Sequence, residues 1–149
     1  MAGEAETDLE AIAVPSEVKL AGGVTIGAGL AAGITGLQAL LFFRLPGALQ
    51  VIGPVALLLA GGCVMAGWGV VRGRSRAALA SVSLAGLTFL LGLAWVIFAL
   101  LNGVLSLTAL AVFPLSGAAV VLVALSLKRV QRIEAARERL RAQGLDAGF

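Results

Sequence analysis

The apolar part of this chain contains nucleophiles but not the bases that would activate them. Ser116 and Cys63 are the candidates for covalent chemistry, and either would need an adjacent base to attack a substrate. The chain has no histidine, and Asp, Glu, Lys and Arg are missing from Leu20 to Phe43, from Leu45 to Val71 and from Ala77 to Leu127. One cysteine, no histidine and carboxylates confined to the two terminal segments supply no metal donor set. Gly61 with Gly62, and the run Gly67, Trp68, Gly69, lack the lysine and the preceding strand of a phosphate-cradling loop. The residue types therefore predict a protein that is not an enzyme and carries no metal or cofactor.

One constellation implies a partner. Arg72, Arg74 and Arg76 crowd five residues, and Lys128, Arg129 and Arg132 follow directly on an apolar run. Cations at such positions are worth about 1 kcal/mol each against anionic lipid headgroups. Trp68, one helical turn before Arg72, suits an interfacial anchor on the same side. The bland alternative is that these charges only set topology. Either way the expected partner is the lipid bilayer and not nucleic acid.

The elements that carry these residues follow from the charge-free runs, which are 24, 27 and 51 residues long. A hydrocarbon core about 30 Å thick takes about 20 helical residues to cross, so the first two runs fit one span each and the third fits two. Composition agrees: 60% of residues are hydrophobic, 13% are charged, and the mean hydropathy is +1.04. The expectation is an all-α integral membrane bundle of four helices in two hairpins. Its spans fall at about 20–43, 48–71, 77–101 and 104–127, the last pair divided at Asn102 and Gly103. Residues 1–18 form an acidic tail, 19–127 the membrane domain, and 128–149 a basic helix and tail. The acidic N-terminal segment also lacks the basic start of a secretory signal.

With four spans, Lys19, Arg72, Arg74, Arg76, Lys128, Arg129, Arg132, Arg137, Arg139 and Arg141 share one side, and Arg44 alone lies on the other. This bias predicts that both termini are cytoplasmic.

Small residues recur at helical spacing in every span, the device by which membrane helices approach closely. In the first, Gly22, Gly29, Gly33 and Gly36 share a side, whereas Gly23 and Gly27 lie elsewhere on the helix. The second carries two small faces, one of Ala56, Ala60, Cys63 and Gly67 and one of Gly62, Ala66 and Gly69. The third has a stripe of Ser81, Ala85, Thr88, Gly92, Trp95 and Ala99 at alternating spacings of four and three. The fourth is read as Ser106, Phe113, Gly117 and Ala124, with Phe113 filling a groove left by glycine. These faces serve either the protein's own bundle or an interface with other subunits or a second copy. Pro54 and Pro114 are expected inside the second and fourth spans, as static kinks or as hinges. Gln38, the one amide at depth, is expected to bridge helices or reach the headgroups.

Past Leu127 the sequence predicts a charged helix to about Gln143. Val130, Ile133 and Leu140 form a narrow apolar stripe that Arg137 interrupts, and Glu134 with Arg137 and Glu138 with Arg141 form supporting pairs within the helix. This helix either extends the fourth span or lies on the membrane surface with the acidic N-terminal tail as an electrostatic neighbour, and the preferred expectation is two solvated, independent tails. The run Gly69, Val70, Val71, Arg72, Gly73, Arg74, leading into an alanine-led third span, resembles small bacterial four-span membrane proteins of unknown function. The likeness covers a third of the chain and departs at Ser75, where such proteins often carry an aromatic residue. It implies a bacterial inner-membrane location. The preferred function is an accessory or scaffold subunit packing with other membrane helices, and the alternative is a passive conduit or carrier for lipid or a small apolar solute.

Overall fold

The computed structural model describes residues 13–41, 50–101 and 107–142, except the side chains of 108 and 109. They form an all-α bundle of four helices: α1 (Ser16–Leu41), α2 (Ile52–Val71), α3 (Ser75–Leu101) and α4 (Leu107–Ala142). All four are long and apolar enough to cross a membrane. Each helix packs on its neighbours in the order α1, α2, α3, α4 and back to α1, with α1 and α3 touching lightly across the diagonal. The expected turns at Pro46 and Gly47 and at Asn102 and Gly103 lie outside the described residues, as do Arg44, Ser106 and most of the acidic tail.

The starts of α1, α2 and α3 differ from the sequence reading, α3 beginning at Ser75, whereas the charged continuation of α4 ends at Ala142, close to the expected Gln143. Helix α1 starts four residues early, so that Glu17 and Lys19 ride on its first turn, and the Pro15 carbonyl accepts from the Val18 and Lys19 amides. Helix α2 starts at Ile52, which places Pro54 in its first turn. There the missing N–H would have had no helical acceptor, so Pro54 is neither hinge nor kink. Pro114 does lie within α4. Helix α4 runs unbroken through Lys128, Arg129 and Arg132 for 36 residues. At 1.5 Å per residue it is about 54 Å long, well beyond a bilayer core.

The core is built from very small side chains. Helix α1 buries Val18, Ala21, Gly22, Thr25, Ala28, Gly29, Ala32, Thr35, Gly36 and Ala39, a seam at alternating threes and fours. That repeat suits left-handed packing at shallow crossing angles. The buried residues of α3 are Ala78, Ser81, Ala85, Thr88, Gly92, Trp95 and Ala99. Large aliphatic side chains such as Leu58, Met65, Leu90, Leu101 and Leu125 face outward instead. The bundle thus hides alanine and displays leucine, the reverse of the usual order in a water-soluble core.

Helix α4 departs from the expected face. Its buried stripe is Val112, Ser116, Ala119, Val123, Ser126 and Val130, continuing into the charged segment as Ile133, Ala136 and Leu140. Phe113 and Gly117 are half-buried and Ala124 is exposed. The reason is physical: this seam uses stiff β-branched valines, so a search for glycine and alanine alone selects the wrong side.

Candidate functional site

The close contact between α1 and α2 rests on backbone against backbone. A Cβ added at Gly22 would lie 2.7 Å from the Gly67 carbonyl oxygen, and one at Gly67 would lie 2.8 Å from that of Gly22. Further along the same seam, Gly29 faces Ala60 and Cys63, Gly33 faces Ala60, and Gly36 faces Ala56 and the Gly53 carbonyl. The second small face of α2 belongs to α3: Gly62 packs under Leu84, Gly69 under Ala77, and Ala66 is buried. Between α3 and α4, Gly92 receives Val112 and the Phe113 backbone. Gly117 receives the Phe89 ring, which stacks on Phe113 at 4.6 Å between centroids.

Polar groups inside the bundle are few and mostly turned on their own helix. The Thr25, Thr35, Thr88 and Ser116 hydroxyls each donate to the carbonyl four residues back. Two links cross between helices and were not legible in the sequence. Ser81 Oγ donates to Thr25 Oγ1 at 3.2 Å, tying α3 to α1, and Cys63 Sγ lies 3.5 Å from Thr88 Oγ1, tying α2 to α3. Ser126, also absent from the sequence reading, donates to the Val123 carbonyl. Neither Ser116 nor Cys63 has a base beside it among these contacts. Among the described residues no three His, Cys, Asp or Glu side chains gather as a metal site would require.

The charged end is a built structure. Helix α2 ends at Val71, and the chain turns at Gly73, whose φ of +71° a side chain would resist. The Gly73 amide donates to the Val70 carbonyl and the Arg74 amide to that of Gly69, the paired bonds that close a helix with a left-handed residue. Helix α3 starts at once, so Arg76 belongs to its first turn and the loop shrinks to Arg72, Gly73 and Arg74.

The extension of α4 then grips both helix ends. Glu134 Oε2 accepts from the Ser75 amide at 3.2 Å, placing a carboxylate at the positive end of α3. Arg137 Nη1 donates to the Arg72 carbonyl at 2.9 Å, placing a cation at the negative end of α2. The residues read as a pair along one helix thus bond across to two others. On the other flank Arg129 pairs with Glu17, Ile133 approaches Gly73, and Val14 packs against the cluster of Val18, Val70 and Val130. The expectation of two independent solvated tails is therefore wrong: residues 13–18 and 128–140 are packed on the same end of the bundle. Buried Val130, Ile133, Ala136 and Leu140 in the charged segment account for this, since an apolar stripe of that length cannot be left in water without cost. Removing one partner of such a bridge exposes or strands its mate. Glu134→Ala and Arg137→Ala should each cost about 1–2 kcal/mol and speed hydrogen exchange at the turn amides, whereas Glu138→Ala leaves exchange unchanged.

The seven residues read as one lipid-facing group separate into three. Arg72 lies over the Trp68 ring at 5.4 Å, on an exposed outer face. Lys128, Arg129 and Arg132 are exposed along α4, with Arg129 held by Glu17. Arg74 and Arg76 instead share a cleft with Arg137 and Arg141, and with Glu134 and Glu138. Arg137 and Arg141 were missed as functional residues. Their spacing of four, which sets both on one face, was the available signal. Comparison of the chain with protein-family models, curated proteins and solved structures finds no match.

Proposed function

We propose that this chain is a non-enzymatic integral membrane protein, with both termini cytoplasmic, that packs as an accessory or scaffold subunit against other membrane helices. One observation carries the reading. Most glycines of α1 are consumed inside the bundle, but Gly23 and Gly27 have no heavy atom within 4 Å of where a Cβ would be. They continue an outward stripe with Leu20, Leu30, Ile34 and Leu41. Glycine facing lipid lowers helix propensity by about 1 kcal/mol and offers nothing to acyl chains, so an outward glycine pair with this spacing favours a further helix laid against it.

The conduit reading has less support. The void lined by Ala32, Thr35, Gly36, Ala56, Trp95 and Val112 measures about 20 Å³, room for about one water, and the larger apolar groove of about 860 Å³ along Val82, Leu87, Leu90, Gly117 and Val121 lies open on the outer face of α3 and α4. Among the described residues no charged side chain lies on the apolar part of the seam to serve an ion path. Purification in mild detergent tests the two. A stoichiometric membrane partner that is lost on Gly27→Leu, with the fold intact, supports the subunit reading. A chain that stays alone and leaks solute from liposomes refutes it in favour of a conduit. For orientation, a reporter fused after Arg74 should score cytoplasmic and one after Arg44 external, and the reverse pattern rejects the assignment.

A further inference from the structure

We infer that the cleft between the first turn of α3 and the extension of α4 binds a dianionic phosphoryl group, as a phosphate monoester. The inference does not depend on any packing partner. The cleft has a volume of about 510 Å³, and Arg74, Arg76, Arg137 and Arg141 line it. Two carboxylates share it, of which Glu134 is engaged by the Ser75 amide. Four cations against two anions leave a local charge of +2, which a phosphate monoester dianion neutralises.

The donors suit that group. Guanidinium forks match phosphoryl oxygens in bidentate pairs, and here Arg74 comes from the turn before α3, Arg76 from its first turn, and Arg137 and Arg141 from α4. Gly73 and Ala77 also line the cleft, so it opens on the N-terminus of α3. The amides of the first helical turn have no acceptor within their own helix, and the helix dipole there favours negative charge. Arg137 is held at the cleft wall by the bond from its Nη1 to the Arg72 carbonyl. The volume exceeds that of bare phosphate and suits a phosphorylated small molecule or headgroup. The site lies where α2 and α3 leave their apolar runs, so the phosphoryl group can come from a lipid headgroup or from a water-soluble ester.

The test uses the full chain in phosphatidylcholine nanodiscs. Glycerol 3-phosphate is titrated by calorimetry and phosphorus NMR, and a parallel set of discs contains a minor share of phosphatidic acid or of phosphatidylglycerol. Saturable binding of the soluble ester identifies a water-soluble source, and a shifted resonance for phosphatidic acid alone identifies a headgroup. Either result should weaken by about a hundredfold in Arg76→Gln/Arg141→Gln, which keeps the Arg137 and Glu134 bridges. Lys128→Gln/Arg132→Gln removes the same charge outside the cleft and should leave binding unchanged. Equal losses in the two double variants would reduce the effect to general attraction and overturn the inference. So would the absence of binding in every arm.

Discussion

Replacing Gly67 with alanine should unseat α1 from α2 and cost about 2–3 kcal/mol, the penalty of forcing a methyl into a packed interior. The added Cβ would meet the Gly22 carbonyl oxygen at 2.8 Å, Ile26 Cγ1 at 2.8 Å and the Ile26 amide nitrogen at 3.1 Å. Two of those three atoms are backbone, so relief requires one helix to move, and Gly29 and Gly36 bind the same pair of helices further along. Gly53 in the same helix supplies the contrast. Its Cβ would meet Leu40 Cγ at 2.6 Å and the Gly36 carbonyl oxygen at 3.2 Å, so relief needs a change of the Leu40 rotamer but less backbone movement, and Gly53→Ala should cost less than Gly67→Ala. Gly61 has nothing within 4 Å, and Gly61→Ala should be neutral or stabilising by up to about 1 kcal/mol through helix propensity. Thermal unfolding in detergent, followed by helical circular dichroism, ranks the three. A Gly67→Ala protein as stable as the parent, or a Gly61→Ala protein equally damaged, would show that the helices do not meet at this crossing.

That ranking also indicates how far the bundle was legible in the sequence. Four helices follow from three charge-free runs, because a charge is costly in lipid and marks where each run ends. The inward side of α3 is legible because small residues repeat there at threes and fours beside bulky leucines. On α4 the same rule misleads: Val112, Val123 and Val130 form the seam, whereas Ala124 faces out. The seam of α4 mixes these valines with Ser116 and Ala119, so small size alone does not mark its inward face.

The charged end was hidden for a different reason. Glu134 and Arg137 are three apart and of opposite sign, so a single helix accounts for them locally. Their actual acceptor and donor, the Arg72 carbonyl and the Ser75 amide, are backbone groups that no side-chain pattern records. They are exposed by the sharp turn at Gly73, where one helix ends and the next begins. The buried stripe of Val130, Ile133, Ala136 and Leu140 was visible, but Arg137 beside it looked like an interruption. Arginine can lay its stem along such a stripe and carry its charge to the edge, so one charged position does not break a packing face.

Trp95→Ala should be the other costly change, and it separates packing from hydrophobic transfer. Trp95 is 6% exposed, stacks on Phe98 at 5.6 Å, and packs beside Ala39 and Ile52. Truncating a buried tryptophan in a water-soluble core costs 3–5 kcal/mol, combining lost transfer energy with the cavity left behind. Within detergent or lipid the unfolded helices remain in apolar surroundings, so most of the transfer contribution cancels and the cavity contribution remains. The expected loss is therefore about 3 kcal/mol, at the lower end of that range. Ala32, Gly36, Ala56 and Gly92 have no side-chain length with which to fill the gap, Ile52, Leu91 and Phe98 can fill it only in part, and the existing void of about 20 Å³ would join it. The resulting cavity is lined almost wholly by carbon and should take up benzene or xenon, raising the unfolding temperature of Trp95→Ala but not of the parent. Trp95→Phe should retain more than half the stability difference. If Trp95→Ala unfolds at the parent's temperature and ignores benzene, the seam of α3 is not packed against α1 and α2 at this level.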